Sequence, residues 1–140
     1  MTAARPRTAE VVVEVPFHDL DPAGIAWHGH YAKYFEIARC ELLKTFSYNY
    51  DDMIASGYAW PVIDMHLRYV RAAVFGQRLR VRATLVEWEY RLKIEYLVTD
   101  EKTGERMTKG ATVQVAVDMA TREMRLRSPN ILFAKLGLQP

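Results

Sequence analysis

Apolar and polar positions alternate with a period of two along most of this chain, and one long segment near its start keeps a helical period instead. Val11, Val13, Val15 and Phe17 fall on one face, with Glu14 and Pro16 on the other. That pattern predicts a first strand, placed near a sheet edge because Pro16 has no N–H for a ladder. Tyr31, Tyr34, Phe35, Ala38, Leu42 and Phe46 then recur at helical spacing, while Lys33, Arg39 and Lys44 lie elsewhere on the wheel. The spacing predicts a helix from His30 to Phe46, about 25 Å long at 1.5 Å per residue. A shorter helical piece, Asp51–Ser56, ends at Gly57.

Beyond it the period is two again. Ile63, Met65, Leu67 and Tyr69 oppose Asp64, His66 and Arg68; Leu79, Val81, Ala83 and Leu85 oppose Arg78, Arg80, Arg82 and Thr84. Tyr90, Leu92, Ile94 and Tyr96 oppose Arg91, Lys93 and Glu95. The polar stretch TDEKTGE (Thr99–Glu105) is a turn, and Ala111, Val113, Val115 and Val117 form the next strand. Met124 and Leu126 suggest a last short strand. Ser128 then caps a terminal helix, with Pro129 at its first position and Gly137 past its end. One strand, one long helix and a run of consecutive strands define an α+β fold: a curved antiparallel sheet wrapped around a central helix. A sheet covered by one helix keeps open edges, which favours a homo-oligomer.

At 140 residues the chain fits one domain, residues 10–140, preceded by a flexible lead-in over residues 1–9. No apolar run reaches the ~20 residues of a membrane span, and no apolar core follows the arginines of the first ten residues as a secretory signal requires. The single Cys40 excludes an internal disulfide, so the reading is a cytoplasmic protein that does not enter membranes. Thirteen of the nineteen basic residues are arginine, which suits bidentate contacts to phosphate or carboxylate. These arginines alternate with apolar residues and form no aromatic-interleaved basic groove, so nucleic acid is not expected as a partner.

Chemistry-bearing residues concentrate in HDLDPAGIAWHGHY, His18 to Tyr31. A metal site is the first reading to test, since Asp19, Asp21, His28 and His30 supply ligand types. Histidines at i and i+2 diverge on a helix, however, and no ligand-spaced motif is present. No serine stands in a GxSxG elbow, and no glycine-rich phosphate loop occurs. What remains is a turn, Asp21-Pro22-Ala23-Gly24, delivering a carboxylate to the start of the long helix. Unpaired N–H groups there, around His28–Gly29, form an oxyanion site for an already electrophilic carbonyl such as a thioester. A turn or cap role for Asp21 remains open on residue type alone.

The run Phe17-His18-Asp19-Leu20-Asp21-Pro22-Ala23-Gly24-Ile25-Ala26-Trp27-His28, followed by Tyr31 and the Tyr34–Arg39 helix, resembles the 4-hydroxybenzoyl-CoA thioesterase family of hot-dog proteins, with its YbgC-type acyl-CoA thioesterases. Tyr69-Val70-Arg71-Ala72-Ala73-Val74-Phe75-Gly76 is similar to that family's strand-and-turn before the long hairpin. The resemblance implies a hot-dog fold and hydrolysis of an acyl-CoA, with Asp21 as nucleophile or general base and the backbone at His28 polarising the carbonyl. It implies substrate contacts from Gly24, Ile25, Trp27, Gly29 and Tyr31, from Glu36, and from Trp60, Pro61 and Val62. Arg71, Arg91 and Lys93 are then candidates for the CoA phosphates, although Arg91 and Lys93 also read as a solvated strand face. The implied assembly is a dimer or tetramer with the site between subunits, needing no metal and no cofactor besides the CoA of the substrate. Phe17 stands where many members carry tyrosine, and the bulk of Trp60 argues against simply copying the 4-hydroxybenzoyl substrate. A hydratase or dehydratase of acyl thioesters, or a non-catalytic acyl-CoA-binding protein, is the alternative.

Overall fold

An alternating strand leaves one apolar face that a second layer must cover, and here a single helix supplies that layer. The computed structural model describes residues 7–140. In chain order the elements are β1 (Thr8–Glu14), α1 (Tyr31–Lys44), α2 (Tyr50–Ala55), β2 (Tyr58–Ala59), β3 (Val62–Tyr69), β4 (Arg78–Glu87), β5 (Leu92–Asp100), β6 (Arg106–Gln114), β7 (Val117–Asp118) and α3 (Asn130–Leu136). Five strands form one antiparallel sheet in the order β1-β4-β5-β6-β3, and β2 pairs with β7 beside it. The chain therefore has the predicted α+β architecture, with α1 against one face of the sheet.

The row Ala9–Ala83–Tyr96–Gly110–Leu67 runs across all five strands and shows how the helix is seated. Phe35 of α1 stacks flat on Tyr96, ring centroids 4.3 Å apart and 2° from parallel. Gly110 makes room for that ring: a Cβ there would stand 2.7 Å from Phe35 Cε2 and would also collide with the His66 carbonyl oxygen. Around this pair Tyr34, Phe35, Ala38, Leu42 and Leu43 of α1 meet Leu79, Val81, Leu92, Ile94 and Val98 of the sheet, all buried. Burying each large apolar side chain contributes roughly 1.5–3 kcal/mol.

Several expectations are corrected. β1 begins at Thr8, so the strand takes in two residues read as lead-in; residues 1–6 of that stretch lie outside the described residues. Phe17 leaves the buried face because a 3-10 turn, Phe17–Asp19, breaks the strand period, and its ring is 74% exposed. Arg39 sits inside the apolar stripe of α1, four residues after Phe35, and is buried. Its guanidinium donates to Tyr50 Oη at 2.7 Å and Tyr96 Oη at 3.2 Å, while Tyr96 Oη also meets Thr112 Oγ1 at 2.8 Å. The helix-facing side of β6 is the polar one, Thr108, Gly110, Thr112 and Gln114, because its register with β5 turns Ala111 and Val113 outward. Tyr90 precedes β5 and is exposed. Leu126 is exposed too, and Met124 makes only an isolated bridge to Val117. Ser128 caps no helix; it is buried and donates to the Trp88 carbonyl, while Gly137 ends α3 in the left-handed conformation at φ 73°.

Candidate active site

The Asp21 turn is the tip of a small hairpin that begins where β1 leaves the sheet. Asp21 N–H donates to the Ile25 carbonyl at 2.8 Å, and Trp27 N–H to the Asp19 carbonyl at 2.9 Å, with Leu20 and Ala26 bridged between them. Gly24 closes the turn at φ +79°, a conformation that favours glycine. One Asp21 carboxylate oxygen accepts the Ala23 N–H at 2.9 Å, which orients the group and leaves the second oxygen without a donor among the described residues. The hairpin docks on the chain after β3 through Ala26 N–H to the Ala73 carbonyl, 2.9 Å, and an Ile25–Val74 bridge.

A second carboxylate holds this hairpin to the helix. Asp19 is completely buried; Lys33 Nζ reaches both its oxygens at 2.8 Å and Tyr34 Oη donates at 2.7 Å. His18 and His30 stand 3.7 and 3.8 Å from the same carboxylate. Burial raises the Asp19 carboxyl, but the hydrogen bonds from Lys33 and Tyr34 and the neighbouring positive charge outweigh it and hold it below the ordinary 3.8. The carboxylate pushes Tyr34 the other way, adding to burial in keeping that phenol protonated. Metal-ligand residue types thus meet here around an ammonium group instead.

After the hairpin, His28–His30 form a single 3-10 turn that leads into α1. The N–H groups of His28 and Gly29 find no acceptor among the described residues, as expected where a helix begins. The Trp27 indole folds back over Gly29 so closely that a Cβ would lie 2.7 Å from its Cε3. On the other side Tyr69, the last residue of β3, donates its hydroxyl to the His28 carbonyl at 2.7 Å. Burial pushes the Tyr69 phenol up, so it stays a donor at neutral pH. A cavity of about 200 Å³ opens between these parts, lined by Asp21, Ile25, Ala26, His28, Tyr31, Tyr69, Val70, Arg71 and Ala72.

The structure therefore brings Asp21, Ile25, His28, Tyr31 and Arg71 to one cavity, whereas Gly24, Trp27 and Gly29 adjoin lining residues in the chain without lining it themselves. Arg71 is also paired with Glu105 at 2.8 Å. The remaining candidates are not among the lining residues. Glu36 is exposed on α1. Trp60 is buried, its indole N–H 3.2 Å from Tyr48 Oη, while Pro61 and Val62 lie exposed at the start of β3. Arg91 pairs with Glu87, and Lys93 lines a groove on the sheet face turned away from α1. Asp19, Tyr69 and Val70 are the participants that sequence reasoning left without a role. The DxD spacing was a signal for Asp19, but its partners Lys33 and Tyr34 lie fourteen and fifteen residues away.

Comparison with known proteins gives the family and the fold in which this cavity sits. A family model described as the thioesterase-like superfamily matches residues 15–134. The Synechocystis protein sll0410, provisionally named an esterase, is 32% identical over 124 residues, which is 88% of this chain and 75% of that protein. YneP of Bacillus subtilis, provisionally named an acyl-CoA thioesterase, is 25% identical over 107 residues, 76% of this chain and 77% of its own. Among solved structures, a DHNA-CoA thioesterase from Staphylococcus aureus superposes with a TM-score of 0.78 at 26% identity, covering 85% of this chain and 80% of that one. No described helix is long and apolar enough to cross a membrane.

Proposed function

Since this chain belongs to the thioesterase-like superfamily and is a thioester hydrolase, we propose that it cleaves a short-chain or aromatic acyl-CoA to the free acid and CoA, with Asp21 as the reacting carboxylate. One observation carries the reading: Asp21, with one uncommitted oxygen, and His28, where N–H groups lack acceptors among the described residues, line a single cavity. A thioester carbonyl seated on those N–H groups gains electrostatic stabilisation as its oxygen becomes negative. Asp21 then either attacks the carbonyl carbon, forming a mixed anhydride that water opens, or takes a proton from the attacking water. Either route expels the CoA thiolate and consumes one water. Thioesters are electrophilic enough that neither route calls on a metal or a cofactor beyond the CoA that the substrate carries.

The proposal includes a homo-oligomer with the site shared between subunits. Supporting it, β3 is an edge strand exposed on both faces, with Ile63, Met65 and Tyr69 uncovered. Glu36, Pro61, Val62, Arg91 and Lys93, which do not line the cavity of their own subunit, then act at the cavity of a neighbouring copy, while Trp60 supports Pro61 and Val62 from within. Arg71 serves the CoA phosphates from within.

The test is thiol release from a panel running from acetyl-CoA to benzoyl-CoA, for wild type and Asp21→Asn. We expect turnover by wild type and a loss of at least about 100-fold in kcat for a folded Asp21→Asn protein. Undiminished turnover by that variant removes Asp21 from the chemistry. A hydrated thioester formed from an enoyl-CoA, in place of free thiol, would replace hydrolysis by hydration.

A further inference from the structure

Tyr69 ends the edge strand, yet its hydroxyl is committed to a carbonyl on another element, 41 positions earlier in the chain. The bond joins the end of β3 to the 3-10 turn that opens α1, at the one place where the cavity wall passes from strand to helix. Its ring packs edge-on against Tyr31, centroids 5.3 Å apart, and His28, 6.4 Å apart. Tyr31 is buried, so it fixes the ring; the hydroxyl sets what the ring holds.

The peptide after His28 is gripped from two sides. The Tyr69 hydroxyl takes its carbonyl oxygen, and the Trp27 indole covers Gly29. A trans peptide is planar, so fixing the direction of the His28 carbonyl also fixes the Gly29 N–H, which points the opposite way. A hydrogen bond on the carbonyl further polarises the amide and strengthens its N–H as a donor.

We infer that Tyr69 is a positioning residue for thioester activation: its hydroxyl orients the His28–Gly29 peptide and so aims the Gly29 N–H, at the start of α1, toward the reacting carbonyl oxygen. The inference rests on the hydrolytic reading of the Asp21 cavity. It assigns the phenol no contact with substrate. Its effect falls on the transition state, where charge reaches the carbonyl oxygen, and leaves ground-state binding nearly untouched.

Tyr69→Phe keeps the ring and removes only the hydroxyl. Steady-state kinetics on acetyl-, butyryl- and benzoyl-CoA should show kcat lower by about ten-fold, with KM within about two-fold. A second readout separates positioning from general loosening. In an Asp21→Asn background, the infrared carbonyl band of bound benzoyl-CoA should shift less from its solution position when Tyr69 is also Phe. Thermal unfolding of the two backgrounds should coincide. Unchanged kcat in Tyr69→Phe overturns the inference, as does a lower kcat with an unchanged carbonyl band. Absence of wild-type turnover on every acyl-CoA would instead overturn the hydrolytic reading, and this inference with it.

Discussion

Asp19 and Asp21 stand two positions apart and have opposite surroundings. Asp19 is sealed in the interior and saturated with donors, whereas Asp21 lies at the cavity with one oxygen uncommitted. One carboxylate holds the hairpin, and the other is the one proposed to react. Replacing Asp19 by Asn takes the counter-charge from the half-exposed Lys33 ammonium and weakens the bond from Tyr34, which should cost about 1–2 kcal/mol of stability near neutral pH. The folded carboxyl titrates below its unfolded value, so its contribution is complete above the ordinary 3.8 and is lost as pH falls through the lower folded value. Urea midpoints measured from about pH 6 down to about pH 3 should therefore fall more steeply for wild type than for Asp19→Asn. Parallel acid profiles would show that the Asp19–Lys33 pair is not what acid breaks. At this scale the sequence was legible for Asp21, because Asp-Pro-Ala-Gly is local turn chemistry. Asp19 was not legible, because burial and the Lys33 pairing arise only once the hairpin lies on α1. Phe17 misled for a related reason: a 3-10 turn ended the alternation one step before it.

Between elements, the contact of α1 with the sheet depends on one absent side chain. Phe35 lies flat on Tyr96 only because Gly110 beside it has no Cβ. Gly110→Ala should cost about 1–3 kcal/mol by overpacking, since both the Phe35 ring and the β3 backbone would have to yield. Thermal unfolding checks this, and a melting temperature equal to wild type would show that the helix has slack at that point. Elements were the most legible level, and α1 follows its predicted stripe closely. The exceptions are Arg39 and the polar side of β6, where Thr112 joins Arg39 across the helix–sheet boundary through Tyr96. Hydropathy assigned those polar positions to solvent, whereas strand register turned them inward and gave them partners.

For the whole molecule the sheet's two edges differ. β1 is laced to β4 by Glu10 with Arg80 and Arg82, while β3 carries exposed Ile63 and Met65. An uncovered apolar edge strand invites pairing with another copy, which is the assembly proposed above. Changing Ile63 and Met65 together to Lys should give a monomer by sedimentation and lower acyl-CoA hydrolysis by at least about 100-fold. A monomer with full activity would show that one subunit completes the site. The strand order was the least legible feature, since alternation tells which residues share a face but not which strands are neighbours. That order has a consequence for synthesis. Both edge strands are made before the three strands that join them, and β1 must wait for partners as much as 76 positions later, as Thr8 does for Thr84. On the ribosome, α1 and the Asp21 hairpin emerge with no sheet to rest on, so that turn is among the first parts translated and among the last to be fixed.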